Sequence, residues 1–280
     1  MIRVVVSGIC GRMGSMVAKN VLAAEGLTLA GGVEIETHES IGRTLCDVWG
    51  EPSSEIRVRK GLDEFDARDL DVIVDFSVPA QAVVCAEKAS ATGAGLVLGT
   101  TGLTDFQMAV VRKAAERCPV VVAPNTSLGV SVLFALARQV REALGPGFDV
   151  EIVETHHRGK RDAPSGTASR LVEILSECGG VPARRVARLG RAGTDLSRDE
   201  DEIGVHSLRG GAVVGRHSVH FMSDLEELTL SHEAFCREAF ARGAIRAVRF
   251  VHGKPPGVYD MIDVLGLRNR PPEAGGEDGR

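Results

Sequence analysis

Short apolar runs alternate with amphipathic stretches through the first half of the chain. Residues 3–7, 27–33, 72–76, 95–98 and 120–123 are dominated by Val, Leu and Ile, the pattern of parallel strands buried on both faces. Between them, 13–24 places Met16, Val17, Val21 and Leu22 on one side of a helix. Residues 79–91 open on a proline, which suits a first helical turn, and stop before Gly93. Thr104-Asp105-Phe106-Gln107 has the form of a capping box, with Gln107 three residues after the Thr cap. Strand and helix in regular succession predict a right-handed, Rossmann-like doubly wound parallel sheet.

The rhythm changes near residue 126. Residues 128–144 read as one long helix ended by Gly145-Pro146-Gly147, 149–155 as a strand, and 167–177 as a helix ended by Gly179-Gly180. Strand-like stretches then follow without helices between them, at 203–208, 212–221 and 225–231. Gly210-Gly211 separates two of these as a hairpin turn would. A further helical stretch at 233–242 leads into an apolar segment through Phe250 and Val251. The expected fold class is therefore α/β: a doubly wound parallel sheet plus a second, α+β domain with a mixed or antiparallel sheet. The expected division is 1–126 for dinucleotide binding, 127–236 for substrate binding and oligomerisation, and 237–270 as a return to the first domain. Residues 271–280, Pro-Pro-Glu-Ala-Gly-Gly-Glu-Asp-Gly-Arg, cannot bury a core and are expected to be a flexible tail.

Composition narrows the class. Thirty-three basic residues against 38 acidic ones give a net charge of −5, which argues against a nucleic-acid partner. No apolar run is long enough to span a membrane, and the chain enters a strand at once without a basic leader, so a cytoplasmic location is expected. The six cysteines, Cys10, Cys46, Cys85, Cys118, Cys178 and Cys236, show no paired spacing. They are expected to be reduced and mostly buried, with no metal site.

The first strand runs into Ser7-Gly8-Ile9-Cys10-Gly11-Arg12-Met13-Gly14 and then directly into a helix. Glycines at 8, 11 and 14 permit a tight turn, close backbone approach to a phosphate, and close packing of helix on strand. Arg12 and Met13 start the helix, whose free N–H groups favour an anion. The spacing is G-x-x-G-x-x-G rather than G-x-G-x-x-G, because Cys10 takes the position of the second glycine. Glu34, at the end of the second strand, is placed to accept hydrogen bonds from an adenosine ribose. Gly99-Thr100-Thr101-Gly102 and Ala123-Pro124-Asn125-Thr126-Ser127 also follow strands, on the edge where such sheets bind ligands.

The most informative segment is Glu154-Thr155-His156-His157-Arg158-Gly159-Lys160-Arg161-Asp162-Ala163-Pro164-Ser165-Gly166-Thr167-Ala168. Adjacent histidines in a strand point to opposite faces, and no second ligand cluster supports a metal. Pro-Ser-Gly-Thr frees backbone N–H groups at a helix start beside several cations, which makes a receptor for a carboxylate or phosphate. His206, His217 and His220 lie in strand-like stretches and are expected to be ordinary half-buried residues.

These strings together resemble those of the dihydrodipicolinate reductases, also called 4-hydroxy-tetrahydrodipicolinate reductases. The similarity runs through about the first 270 residues and includes Tyr259-Asp260-Met261 near the end. It implies NAD(P)H-dependent reduction of 4-hydroxy-tetrahydrodipicolinate to tetrahydrodipicolinate in diaminopimelate and lysine biosynthesis. By position it implies cofactor contacts at Gly8, Gly11, Arg12, Met13, Gly14, Glu34, Gly99, Thr100, Thr101, Ala123, Pro124, Asn125 and Thr126. It implies that His156 and Lys160 are catalytic and that His157, Ser165, Gly166 and Thr167 bind a dicarboxylate substrate. A homotetramer joined through the second sheet is also implied. Glu34, followed by Ile35 rather than a basic residue, favours NADH over NADPH. A related amino-acid or diamine dehydrogenase would lack the His-His-Arg…Ser-Gly-Thr string, and a non-catalytic dinucleotide sensor would not need its proton donors.

Overall fold

A computed structural model describes residues 1–50, 54–194 and 196–268; the expected tail lies outside them. The first half follows strand and helix in turn: β1 (Ile2–Ser7), α1 (Arg12–Ala23), β2 (Leu27–Val33), α2 (Leu45–Trp49), β3 (Val58–Arg59), β4 (Val72–Asp75), α3 (Pro79–Thr92), β5 (Gly95–Leu98), α4 (Asp105–Ala114) and β6 (Pro119–Val122). The second half has α5 (Leu128–Leu144), β7 (Asp149–His156), α6 (Gly166–Gly179), α7 (Ala183–Val186), β8 (Ala187–Leu189), β9 (Ile203–Arg209), β10 (Gly215–Met222) and β11 (Glu227–Ala234). The chain closes with α8 (Glu238–Val251), β12 (Gly257–Tyr259) and α9 (Met261–Leu265).

The first sheet has seven parallel strands in the order β12-β6-β5-β4-β1-β2-β3. Neighbouring residues of β1 serve opposite faces, as the strand period requires. Val4 and Val6 pack under α1 and α8, whereas Val5 joins Ala82, Ala86 and Ala89 of α3. Each such buried aliphatic side chain contributes roughly 1.5–3 kcal/mol relative to exposure. Strand order reverses at β1, with β2 on one side and β4 on the other, so a crevice opens at their carboxyl ends. The expected capping box holds: Thr104 accepts from the Gln107 N–H, and the Gln107 side chain accepts from the Thr104 N–H.

The second sheet is mixed, in the order β11-β10-β7-β9-β8. Residues Val150, Ile152, Glu154 and His156 of β7 share the buried face under α5 and α6. The opposite face is polar and more open. There Arg216 pairs with Glu233, Ser218 meets Ser231, and His220 bonds Glu227. Arg191 and Arg198, from the charged stretch after β8, converge there with His206 on Glu151.

Four expectations need correction. Gly210-Gly211 is not a hairpin turn, because β9 and β10 lie on opposite sides of β7, parallel and antiparallel to it. The Gly210 N–H instead donates to the His156 carbonyl, carrying the chain across the end of β7. The stretch 233–242 is not one helix: β11 continues through Ala234 and α8 starts at Glu238, running to Val251 on a stripe of Ala241, Ala244, Ala247, Val248 and Val251. Pairing with β10 keeps 233 and 234 extended, and Gly243 lets α8 press on the Thr126 carbonyl. Only Cys85 and Cys118 are buried, while Cys236 is exposed; all six thiols are free. His217 is 3% exposed and belongs to the site described next.

Candidate active site

At the carboxyl end of β1 the glycine-rich loop turns through Gly8, whose φ of +77° suits glycine alone. A Cβ there would meet the Phe76 carbonyl at 2.5 Å, and a Cβ on Gly14 would collide with the Gly8 carbonyl. The α1 helix therefore packs tightly on the loop. Gly11 is its N-cap and supplies no side-chain cap, so the N–H groups of Arg12, Met13 and Gly14 have no acceptor among the described residues. This is a cradle for a phosphate. Beyond β2, Glu34 turns back toward the loop and its Oε1 accepts the Cys10 N–H at 2.7 Å. Cys10, Glu34 and His38 bring one donor atom each within 4.8 Å of one another at this end.

The neighbouring loops are anchored by a residue that the motifs did not single out. Asp75 ends β4 fully buried and accepts from Thr100 Oγ1 at 2.6 Å and from the Ser77 hydroxyl. Burial raises its pKa against the hydrogen bonds of Ser77 and Thr100. Thr100 is thus buried, as is Gly99, while Thr101 is exposed. In the next loop Ala123 is buried and Pro124 exposed. Thr126 is 1% exposed with its hydroxyl on the Phe240 carbonyl, so its side chain is spent on α8. Asn125 faces the other way: its Nδ2 donates to Thr167 Oγ1 at 3.0 Å, and its Oδ1 accepts the Ser127 N–H. That bond joins the loop after β6 to the first turn of α6.

On the α6 side Ser165 is the N-cap, accepting the Ala168 N–H, which leaves the Gly166 and Thr167 N–H groups free to receive an anion. Gly166 is exposed and Thr167 half-buried. The Ala163–Pro164 peptide just before is cis. Lys160 is paired by its neighbour Asp162, at 2.8 Å, in a loop where the sequence shows mostly cations. His157, half-buried, begins that loop.

Beneath the loop lies a hub centred on Glu154, the first residue of the segment 154–168, to which the sequence assigned no role. Glu154 is 0% exposed, and its carboxylate receives both guanidinium arms of Arg209 at 2.8 Å, the Ser165 N–H at 3.1 Å and His156 Nδ1 at 2.6 Å. Burial pushes its pKa up, but the hydrogen bonds from Arg209 and His156 lead the opposing effects that hold it at about 2. Burial, with the charges of Lys160 and Arg209, lowers the His156 pKa against the hydrogen bond and charge of Glu154. His217, directly across the ladder from Glu154, bonds Ser165 Oγ at 3.0 Å and meets His156 edge-to-face. Its burial, with the nearby His156, pushes its pKa down to about 4, so it is neutral. Glu154 and His156 are two residues apart on a strand, a spacing that places them on one face and could have flagged the pair. Arg209 and His217 arrive through strand pairing, which no local spacing reveals.

Comparison with known proteins identifies the family. Residues 2–126 match the family described as "Dihydrodipicolinate reductase, N-terminus", and residues 129–265 match "Dihydrodipicolinate reductase, C-terminus". The chain is 46% identical over 269 residues to a 4-hydroxy-tetrahydrodipicolinate reductase of Anaeromyxobacter dehalogenans strain 2CP-1, covering 96% of this chain and 99% of that one. It is 43% identical over 273 residues to one from Methanothermobacter thermautotrophicus, covering 95% and 100%. Among solved structures, a dipicolinate-bound dihydrodipicolinate reductase from Paenisporosarcina sp. TG-14 superposes with a TM-score of 0.75 at 27% identity, covering 94% of this chain and 98% of that chain. With both halves of the family matched end to end, the chain belongs to the dihydrodipicolinate reductases.

Proposed function

We propose how this member of the family, an NAD(P)H-dependent oxidoreductase, reduces 4-hydroxy-tetrahydrodipicolinate to tetrahydrodipicolinate in diaminopimelate and lysine biosynthesis. The cofactor lies along the carboxyl edge of the seven-stranded sheet. Its pyrophosphate takes the free N–H groups of Arg12, Met13 and Gly14, in the turn made by Gly8 and Gly11. Glu34 receives the adenosine ribose. The nicotinamide end lies against Gly99, Thr100, Thr101 and the backbone of Ala123, Pro124, Asn125 and Thr126. When bound, the cofactor supplies the hydride.

One substrate carboxylate sits on the Gly166 and Thr167 N–H groups and the Thr167 hydroxyl, with Ser165 holding that helix start in place. His157 supplies a further polar contact. Lys160 and His156 handle the proton that the reduced ring requires. The observation that carries this reading is the Asn125–Thr167 hydrogen bond, because it ties the nicotinamide-side loop to the carboxylate receptor. Hydride donor and acceptor are thereby brought to one cleft.

The same reading divides the chain into 1–126 and 237–270 for the dinucleotide and 127–236 for substrate. The polar face of the second sheet, laced with cross-strand pairs, supports assembly through that sheet as a homotetramer. No described helix is long and apolar enough to cross a membrane; a cytoplasmic location fits the biosynthetic role. We assign NADH as the preferred cofactor, with NADPH accepted, on the strength of the Glu34 carboxylate. The test is loss of NADH absorbance when the purified protein meets dihydrodipicolinate made in situ by the synthase. No oxidation with that substrate, but turnover of another amino or keto acid, would overturn the assignment.

A further inference from the structure

We infer that Glu154 is a positioning residue for the proton-handling side of the site, fixing the His156 ring with Nδ1–H inward and Nε2 toward the cleft. This rests on the reading above that His156 touches the reacting centre.

The geometry argues the point step by step. The Glu154 carboxylate is fully buried yet ionised, because Arg209 engages both of its oxygens in a bidentate pair at 2.8 Å. An ionised carboxylate has no proton to give and can only accept. At 2.6 Å the bond to His156 must therefore run from Nδ1–H to Glu154. In neutral imidazole the remaining proton-free nitrogen is then Nε2, and that atom makes no hydrogen bond among the described residues. His156 is 9% exposed, and its Nε2 lies beside Gly215, 3.1 Å from where a Cβ on that glycine would sit.

Glu154 also reaches beyond His156. Its Oε1 accepts the Ser165 N–H, so the carboxylate holds the residue that caps α6 and opens the anion receptor. Arg209 in turn donates to the Asp162 carbonyl at 2.7 Å, tying down the loop that carries Lys160. One buried carboxylate thus sets the relative positions of His156, the Lys160 loop and the α6 N-terminus. A merely structural ion pair would need only Arg209; it would not place a third and a fourth donor from two functional elements on the same carboxylate.

The charged and titratable groups facing His156 are Glu154 on its own strand, Arg209 on β9, His217 on β10 and Lys160 in the following loop. Glu154 alone favours the imidazolium. Removing its charge while keeping its shape should therefore lower the His156 pKa further and free the ring to change tautomer.

The experiment pairs ring-nitrogen NMR on the full-length, histidine-labelled protein with kinetics of Glu154→Gln and Arg209→Lys. The His156 signal is assigned by its loss in His156→Asn. Wild-type His156 should show the Nδ1–H tautomer when neutral; an Nε2–H tautomer overturns the inference, whatever the variants do. In Glu154→Gln, kcat should fall about 10- to 100-fold, within the range of lost acid–base catalysis, and the limb set by protonated His156 should move to lower pH. The KM for NADH should stay within about twofold. Arg209→Lys should cost stability but keep the tautomer and the pH limb. If Glu154→Gln loses only thermal stability, with tautomer and limb unchanged, Glu154 is structural and the inference fails. If Glu154→Gln does not fold, the wild-type and Arg209→Lys tautomers decide. Failure of wild-type turnover would instead strike the functional reading, and the tautomer measurement would stand apart from it.

Discussion

Thr100 and Asp75 form a closed pair at the floor of the cofactor crevice: Thr100 Oγ1 donates to Asp75 Oδ2 at 2.6 Å and itself accepts the Ser77 N–H at 2.8 Å. The hydroxyl is used in both directions, so it joins the ends of β4 and β5, and the loop after β5 is the one proposed above to receive the nicotinamide end. Thr100→Val keeps the shape but leaves a buried carboxylate oxygen and a backbone N–H unpaired. Such groups cost roughly 1–3 kcal/mol. The variant should melt lower and bind NADH more weakly, as read by thermal unfolding and by KM. Wild-type values for both would show that the pair does not organise the loop.

Lys160 and Thr167 should separate cleanly in kinetics. Lys160→Ala is expected to lower kcat by roughly 10²–10⁴ with NADH affinity nearly unchanged, since it removes a proton source rather than a cofactor contact. Thr167→Ala removes a ground-state carboxylate contact and the partner of Asn125, so it should act mainly on the KM for the dicarboxylate. A Lys160→Ala enzyme within about threefold of wild type would remove Lys160 from the mechanism.

Acid should destabilise the protein in two stages. His217 is held at about 4, below its ordinary 6.5, so the unfolded chain takes up the proton first. Its contribution is complete above pH 6.5 and is lost as pH falls toward 4. Glu154, held at about 2 against an ordinary 4.5, adds a second loss between those values, on the order of 3 kcal/mol when complete. Melting temperature measured from pH 8 downward should therefore fall first below about 6.5 and again below about 4.5. His217→Gln should flatten the first stage; an unchanged first stage would show that other groups control it.

Cofactor choice should follow Glu34. Its carboxylate is held beside the glycine-rich loop by the Cys10 N–H, where it would face an added 2′-phosphate. A like-charge pair at 4 Å costs about 4 kcal/mol at an effective dielectric of ~20, before salt and side-chain motion reduce it. Wild-type enzyme should prefer NADH by less than about a hundredfold in kcat/KM, because exposed Arg12 and Arg43 can offset part of that cost. Glu34→Gln should narrow the preference. Steady-state kinetics with both cofactors at one ionic strength measure it, and a wild-type NADPH preference would mean that the arginines govern the pocket.

Local pattern determined a great deal of this protein. The period of the apolar positions, the glycines at 8, 11 and 14 and the caps at Thr104 and Ser165 are readable residue by residue, because each depends on backbone sterics or on a partner a few positions away. They were enough for the parallel sheet, the tight glycine-rich turn into α1 and the start of α6. What only the tertiary structure decided depends on strand pairing and on contacts across long stretches of chain. The order β11-β10-β7-β9-β8 places β9 and β10 on either side of β7, which no turn signal at Gly210-Gly211 could reveal. That pairing brings Arg209 and His217 to Glu154, an acid that the sequence placed in the key segment without a role. The same holds for Asn125 and Thr167, 42 residues apart, and for Thr126, whose hydroxyl donates to the Phe240 carbonyl, 114 residues away. Hydrogen-bond partners at such separations are set by how the two sheets and their helices pack, and packing is a property of the whole chain.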